Sequence, residues 1–166
     1  MGPVIDEAAL IKIRGYIEQG IGPGKETFIK KSGIKKGNFI DPVIIIDVDT
    51  DSALAQEEIF GPVLSVIRAH DIDDAIAKAN NSLYALTGGI FSRSPENIRK
   101  ARERFEVGNL YINRKITGAL VGRQPFGGFG MSGIGSKAGG PDYLLQFMNP
   151  KSISENTMRR GFAPLV

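Results

Sequence analysis

Val43-Ile44-Ile45-Ile46-Asp47-Val48 is β-branched, short and almost continuously apolar, the pattern of a strand covered on both faces. Such strands usually belong to α/β sheets. Residues 63–67 (Val-Leu-Ser-Val-Ile) repeat the signature, and Asp71 then caps a segment whose Ile72, Ala75, Ile76 and Ala79 fall on one helical face. Residues 86–91 read as a third strand. Ser94-Pro95 supplies a cap followed by proline at the first helical position, Ile98, Ala101 and Phe105 form the buried stripe, and Gly108 is the expected stop. Asn109-Leu110-Tyr111-Ile112-Asn113 follows as another strand. Upstream, residues 6–19 read as a helix capped by Asp6, with Leu10, Ile13 and Ile17 at helical spacing and Gly20 after it. The alternation predicts an α/β fold, a mostly parallel sheet with flanking helices.

In such sheets ligands gather beyond the carboxyl ends of strands, here the loops after Val48 and after Asn113. At 166 residues and 42% hydrophobic content the chain matches one ordinary domain with a real core. Twenty-one basic and 18 acidic side chains give +3, interspersed, so neither nucleic acid nor a membrane surface is expected as a partner. No apolar run approaches the roughly 20 residues of a membrane span, and no signal-peptide pattern opens the chain, which reads as soluble. Cysteine is absent, which excludes disulfides, cysteine-based zinc sites and a thiolate nucleophile within these residues.

Several motifs invite chemistry and do not carry it. Gly128-Phe129-Gly130-Met131-Ser132-Gly133 fits G-x-G-x-x-G, but proline and glycines precede it where a strand is needed, and no acidic residue follows about 20 positions on. A structural glycine loop is the better reading. The stretch 130–137 lacks the glycine before lysine that a phosphate loop requires. Asp47, Asp49, Asp51 and Glu58 match positions of a calcium loop, yet Ser52 stands where its turn needs glycine, and no metal site is expected. His70, the only histidine, reads as a surface or capping residue, and the charges over 99–106 as a solvated helix face.

Glu57-Glu58-Ile59-Phe60-Gly61-Pro62-Val63 resembles the motif found near the cofactor in the aldehyde dehydrogenase superfamily, and Asn80-Asn81-Ser82-Leu83-Tyr84-Ala85-Leu86-Thr87-Gly88-Gly89 continues the likeness. Gly108-Asn109-Leu110-Tyr111-Ile112-Asn113-Arg114-Lys115-Ile116-Thr117-Gly118-Ala119 and Gln124-Pro125-Phe126-Gly127-Gly128 resemble the branch that oxidises glutamate semialdehyde, the 1-pyrroline-5-carboxylate dehydrogenases. The resemblance runs from about Gly2 to near Met148.

It implies the C-terminal part of a catalytic domain over 1–143, with 144–166 as a tail and possible oligomerisation arm in a homo-oligomer. It also implies NAD as cofactor, glutamate semialdehyde as substrate in proline catabolism, and a location in the bacterial cytoplasm or, in a eukaryote, the mitochondrial matrix. Glu58 would hold the nicotinamide ribose, since a carboxylate can accept hydrogen bonds from both hydroxyls of a diol, and Phe60 would pack beside the nicotinamide. Without the resemblance Glu58 reads as a helix-cap or loop carboxylate. Gly118 and Ala119 would anchor the substrate carboxylate through successive backbone N–H groups, and Phe126, otherwise an ordinary core phenylalanine, would flank its aliphatic chain. Ser132 reads as structural.

In this family a cysteine thiolate attacks the aldehyde, an asparagine holds the oxyanion, and a glutamate-activated water hydrolyses the thioester; all lie upstream of the part resembled. The expectation is therefore a fragment with no catalytic residue of its own, inert alone within an active parent. The alternative is a non-catalytic binding or assembly module derived from the same fold.

Overall fold

A computed structural model describes residues 1–22, 27–29, 31, 33–34, 36–116 and 120–156. Helix α1 (Glu7–Gly20) opens the fold, capped by Asp6, whose carboxylate accepts from the Ala9 N–H at 2.7 Å. Strands β1 (Thr27–Ile29), β2 (Val43–Ile46) and β3 (Val63–Val66) form a sheet in that order, and the short helix α2 (Ala53–Gln56) connects the last two. β2 runs parallel to β3 and antiparallel to β1. The second βαβ unit is β5 (Thr87–Ile90), α4 (Pro95–Arg104) and β6 (Asn109–Ile112), with β5 and β6 parallel. α3 (Ile72–Asn80) and β4 (Tyr84–Ala85) lie between the units, and β4 pairs antiparallel with β7 (Phe129–Gly130).

The α/β class and the helix N-caps follow the sequence, whereas Gly20 is the last residue of α1 and Ile21 its C-cap. Asp71 accepts from the Asp74 N–H at 2.8 Å, and Ser94 from the Asn97 N–H at 3.3 Å, with Pro95 in the first turn as the sequence implies. Three expectations need correction. The two parallel pairs stand in separate sheets among the described residues, because no described strand bonds both pairs. β2 is covered on one face only: Ile45 is 0% exposed under α1 and α2, whereas Ile44 is 38% exposed. In register with Ile44 lie Phe28 and Leu64, both exposed, so the bare face carries an apolar row across all three strands. Finally, α4 ends at Arg104 with Phe105 as its cap, so Gly108 is not the stop.

The core is built by Ile13 of α1, Val43 and Ile45 of β2, and Val48, Leu54 and Ile59 from the segment between β2 and β3. Burying one such side chain contributes about 1.5–3 kcal/mol, which is why a three-stranded sheet and one long helix cohere here. A charge cluster joins α3 to α4: Asp73 accepts from Lys100 at 2.5 Å and from Arg104, and both hold its carboxyl below the usual range. The charged face over 99–106 is thus partly a helix-to-helix clasp, with Arg99 facing solvent between Glu96 and Glu103.

Candidate active site

Residues 57–62 connect α2 to β3. Glu57 caps α2 as its N–H donates to Ala53 O at 3.0 Å, and Ile59 then turns inward to join the core. Glu58 and Phe60, on either side of that anchor, point to solvent; Phe60 is 84% exposed. Phe60 also has φ of 60°, a left-handed conformation that costs a bulky residue about 1–3 kcal/mol and persists only where its surroundings enforce it. An exposed aromatic on strained backbone gains nothing for the core. Among the described residues no donor bonds the Glu58 carboxylate, although the Glu58 carbonyl accepts from Lys12 at 3.3 Å. An open apolar cleft of about 750 Å³ lies beside the loop, lined by Val4, Ala9, Ile13, Ile59 and Phe60. A free carboxylate and an exposed ring on a fixed loop fit a diol and a flat heteroaromatic ring, the two groups that the nicotinamide side of NAD presents.

Phe126 belongs to a different assembly and does not line that cleft. It is half-buried and forms a two-bond bridge with Ala138, at 3.0 and 2.7 Å. Asn109 clamps the backbone on both sides of it: the side-chain NH₂ donates to Pro125 O at 2.9 Å, and its amide oxygen accepts from Gly127 N–H at 3.2 Å. Lys137 donates to Gly108 O at 2.7 Å and also to Gly127 O, and partial burial pushes its pKa down. Ser132 accepts from the Ala85 N–H at 3.1 Å, the backbone role its place in the glycine cluster suggests. Gly118 and Ala119 lie outside the described residues.

The remaining motifs resolve into structure. Asp47 pairs with Arg68, Asp49 accepts from its neighbour Asp51 N–H at 3.1 Å, and Asp51 accepts from Asn81 at 2.9 Å, so the loop carboxylates are turned to different partners. His70 donates its backbone N–H to Asp74 at 2.9 Å, at the start of α3. Within G-x-G-x-x-G, Phe129 and Gly130 form β7, which pairs with β4 instead of feeding a helix. The strained Phe60 and the Asn109 and Lys137 braces have no local sequence signal: the first is a backbone property, the others join residues 10 to 29 positions apart.

The chain belongs to the aldehyde dehydrogenase family, whose pattern spans residues 1–153. Within it, the chain is 54% identical over 155 residues to a 1-pyrroline-5-carboxylate dehydrogenase of Geobacillus sp. (strain WCH70), covering 93% of this chain and 30% of that one. The chain therefore spans about 30% of the length of the curated relatives it matches. Among solved structures, proline utilization A from Bdellovibrio bacteriovorus superimposes with a TM-score of 0.88 at 55% identity, over 100% of this chain and 17% of that one. A Thermus 1-pyrroline-5-carboxylate dehydrogenase with bound NAD gives 0.79 at 48% identity, over 88% of this chain and 28% of that one.

Proposed function

We propose that this chain is the C-terminal part of the catalytic domain of an NAD-dependent dehydrogenase that oxidises glutamate 5-semialdehyde, the open form of 1-pyrroline-5-carboxylate, to glutamate in proline catabolism. The observation that carries the reading is the 54% identity to a 1-pyrroline-5-carboxylate dehydrogenase across 93% of the chain. The exposed apolar row of Phe28, Ile44 and Leu64 supports it, since such a sheet face belongs against another segment.

NAD, when bound, supplies the hydride acceptor. Glu58 accepts hydrogen bonds from the nicotinamide ribose hydroxyls, and Phe60 offers an apolar face that orients the ring. Gly118 and Ala119 donate backbone N–H groups to the substrate carboxylate, small enough to leave the approach open. Phe126, its backbone held by Asn109 and Ala138, walls the aliphatic chain and keeps water from the reacting carbon. With no cysteine in its 166 residues, the chain cannot form the thioester, so the nucleophile comes from another segment and this one alone is inert. The tail over 144–166 serves as a docking arm in a homo-oligomer. In support, Leu144, Leu145, Phe147 and Met148 are exposed on and just after a 3-10 turn over residues 143–147. The bacterial relatives favour a cytoplasmic setting, and no described helix is long and apolar enough to cross a membrane.

Gly118→Val in the complete polypeptide tests the anchor. The KM for glutamate semialdehyde rises roughly tenfold to a hundredfold, the size of a lost charge-assisted hydrogen bond, while that of an uncharged aldehyde changes little. Equal effects on both substrates contradict the anchor, and absence of turnover in the unmodified complete polypeptide favours a non-catalytic module.

A further inference from the structure

Phe60 is held at positive φ although its own ring is 84% exposed and anchors nothing, so the constraint must come from neighbouring residues. It comes from α1. Tyr16 donates its hydroxyl to the Glu57 carboxylate, and Lys12, one turn earlier, donates to the Glu58 carbonyl at 3.3 Å. Between them, Ile13 packs so closely on Gly61 that a Cβ there would stand 2.8 Å from its methyl groups. One helical face thus touches the loop before and after Phe60. The Lys12 ammonium also sits 5.7 Å from the centre of the Tyr16 ring, linking the two donors.

We infer that Tyr16 and Lys12 are positioning residues for the nicotinamide side of the cofactor site, fixing through Glu57 and the Glu58 carbonyl the backbone that presents Glu58 and Phe60. This rests on the reading that Glu58 and Phe60 face NAD. The fold does not need these two bonds: α1 is already seated by Leu10 and Ile13, and exposed polar pairs add little to stability. What they supply is a choice among loop conformations. The same hydrogen bond to Glu57 pushes the Tyr16 phenol above its ordinary value.

The test compares the complete polypeptide with its Tyr16→Phe, Lys12→Met and Lys12→Arg variants by amide hydrogen exchange and steady-state kinetics. We expect several-fold faster exchange confined to residues 57–61 in Tyr16→Phe and Lys12→Met, with α1 and β2 unchanged. The KM for NAD should rise several-fold while the KM for the aldehyde and the Tm stay put, and Lys12→Arg should restore both readouts. Unchanged loop exchange overturns the inference. So does faster exchange with an unaltered KM for NAD, or a joint rise of both KM values with a falling Tm. If the unmodified polypeptide makes no NADH, the dehydrogenase reading fails, and the assignment of these residues to an NAD site is overturned with it; loop exchange then reports only whether the brace itself exists.

Discussion

Around β2 the chain is held by side chains, and around Gly108 by backbone pressed against backbone. Ile13 and Ile45 are 1% and 0% exposed, and their bulk fills the space between α1 and the first sheet. At Gly108 there is no space to fill: an added Cβ would overlap the Gly127 carbonyl oxygen and stand 2.7 Å from the Gly128 Cα. Gly127 and Gly128 are crowded in turn by the Ser136 and Ala85 carbonyls, at 2.5 and 2.9 Å from a built Cβ. The first region therefore tolerates no loss of volume and the second no gain. The sites divide the same way, with Glu58 and Phe60 on a loop pinned by a core residue and a helix, and Phe126 on a loop pinned by Asn109 and Lys137.

The largest effect should come from emptying the first region. Ile45→Ala is expected to cost about 4 kcal/mol, and Ile45→Val about 1 kcal/mol, in denaturant unfolding of the complete polypeptide; similar small costs for both would mean that β2 is not the packing centre. Next, Gly108→Ala should cost about 3 kcal/mol or more by overpacking, although the same change at Gly15, which has open space around it, should be neutral or stabilising. A tolerated Gly108→Ala breaks the contrast between the two regions.

The smallest effect lies at the clasp between α3 and α4. Lys100 and Arg104 lower the Asp73 pKa, so its contribution is present above the ordinary carboxylate value of about 4 and is lost as pH falls through the lowered folded value. Asp73→Asn should lower neutral-pH stability slightly, leave stability in strong acid unchanged, and so flatten the acid limb of a Tm-against-pH curve. An acid limb identical to that of the unmodified protein would show that the clasp carries no linkage.

How much of this could be read from the chain follows the same divide. Period and capping are local, so α1, β2, α3 and α4 stand near where Asp6, the isoleucine run, Asp71 and Ser94 place them. Gly108 looks like a helix stop in the sequence, but its reason is a close approach from Gly127, 19 positions along the chain, which no window of residues contains. The apolar run 43–48 suggests two covered faces, and the bare face with Ile44 reflects what packs against the sheet rather than anything in the run itself. Glu58 and Phe60 stand out only through the resemblance, because an acidic residue and a phenylalanine near a glycine carry no chemistry by spacing alone; the strain at Phe60 and the reach of Tyr16 to Glu57 exist only in the folded backbone.

Under the proposed function, these 166 residues contribute the cofactor-facing loop and substrate-binding loops of a dehydrogenase and none of its bond-making groups. NADH formation from NAD and glutamate semialdehyde, followed by absorbance for the 166-residue chain and for the complete polypeptide in parallel, tests it most directly. Turnover by the complete polypeptide and none by the chain alone is the predicted result; NADH production by the chain alone, or none by the complete polypeptide, would contradict it.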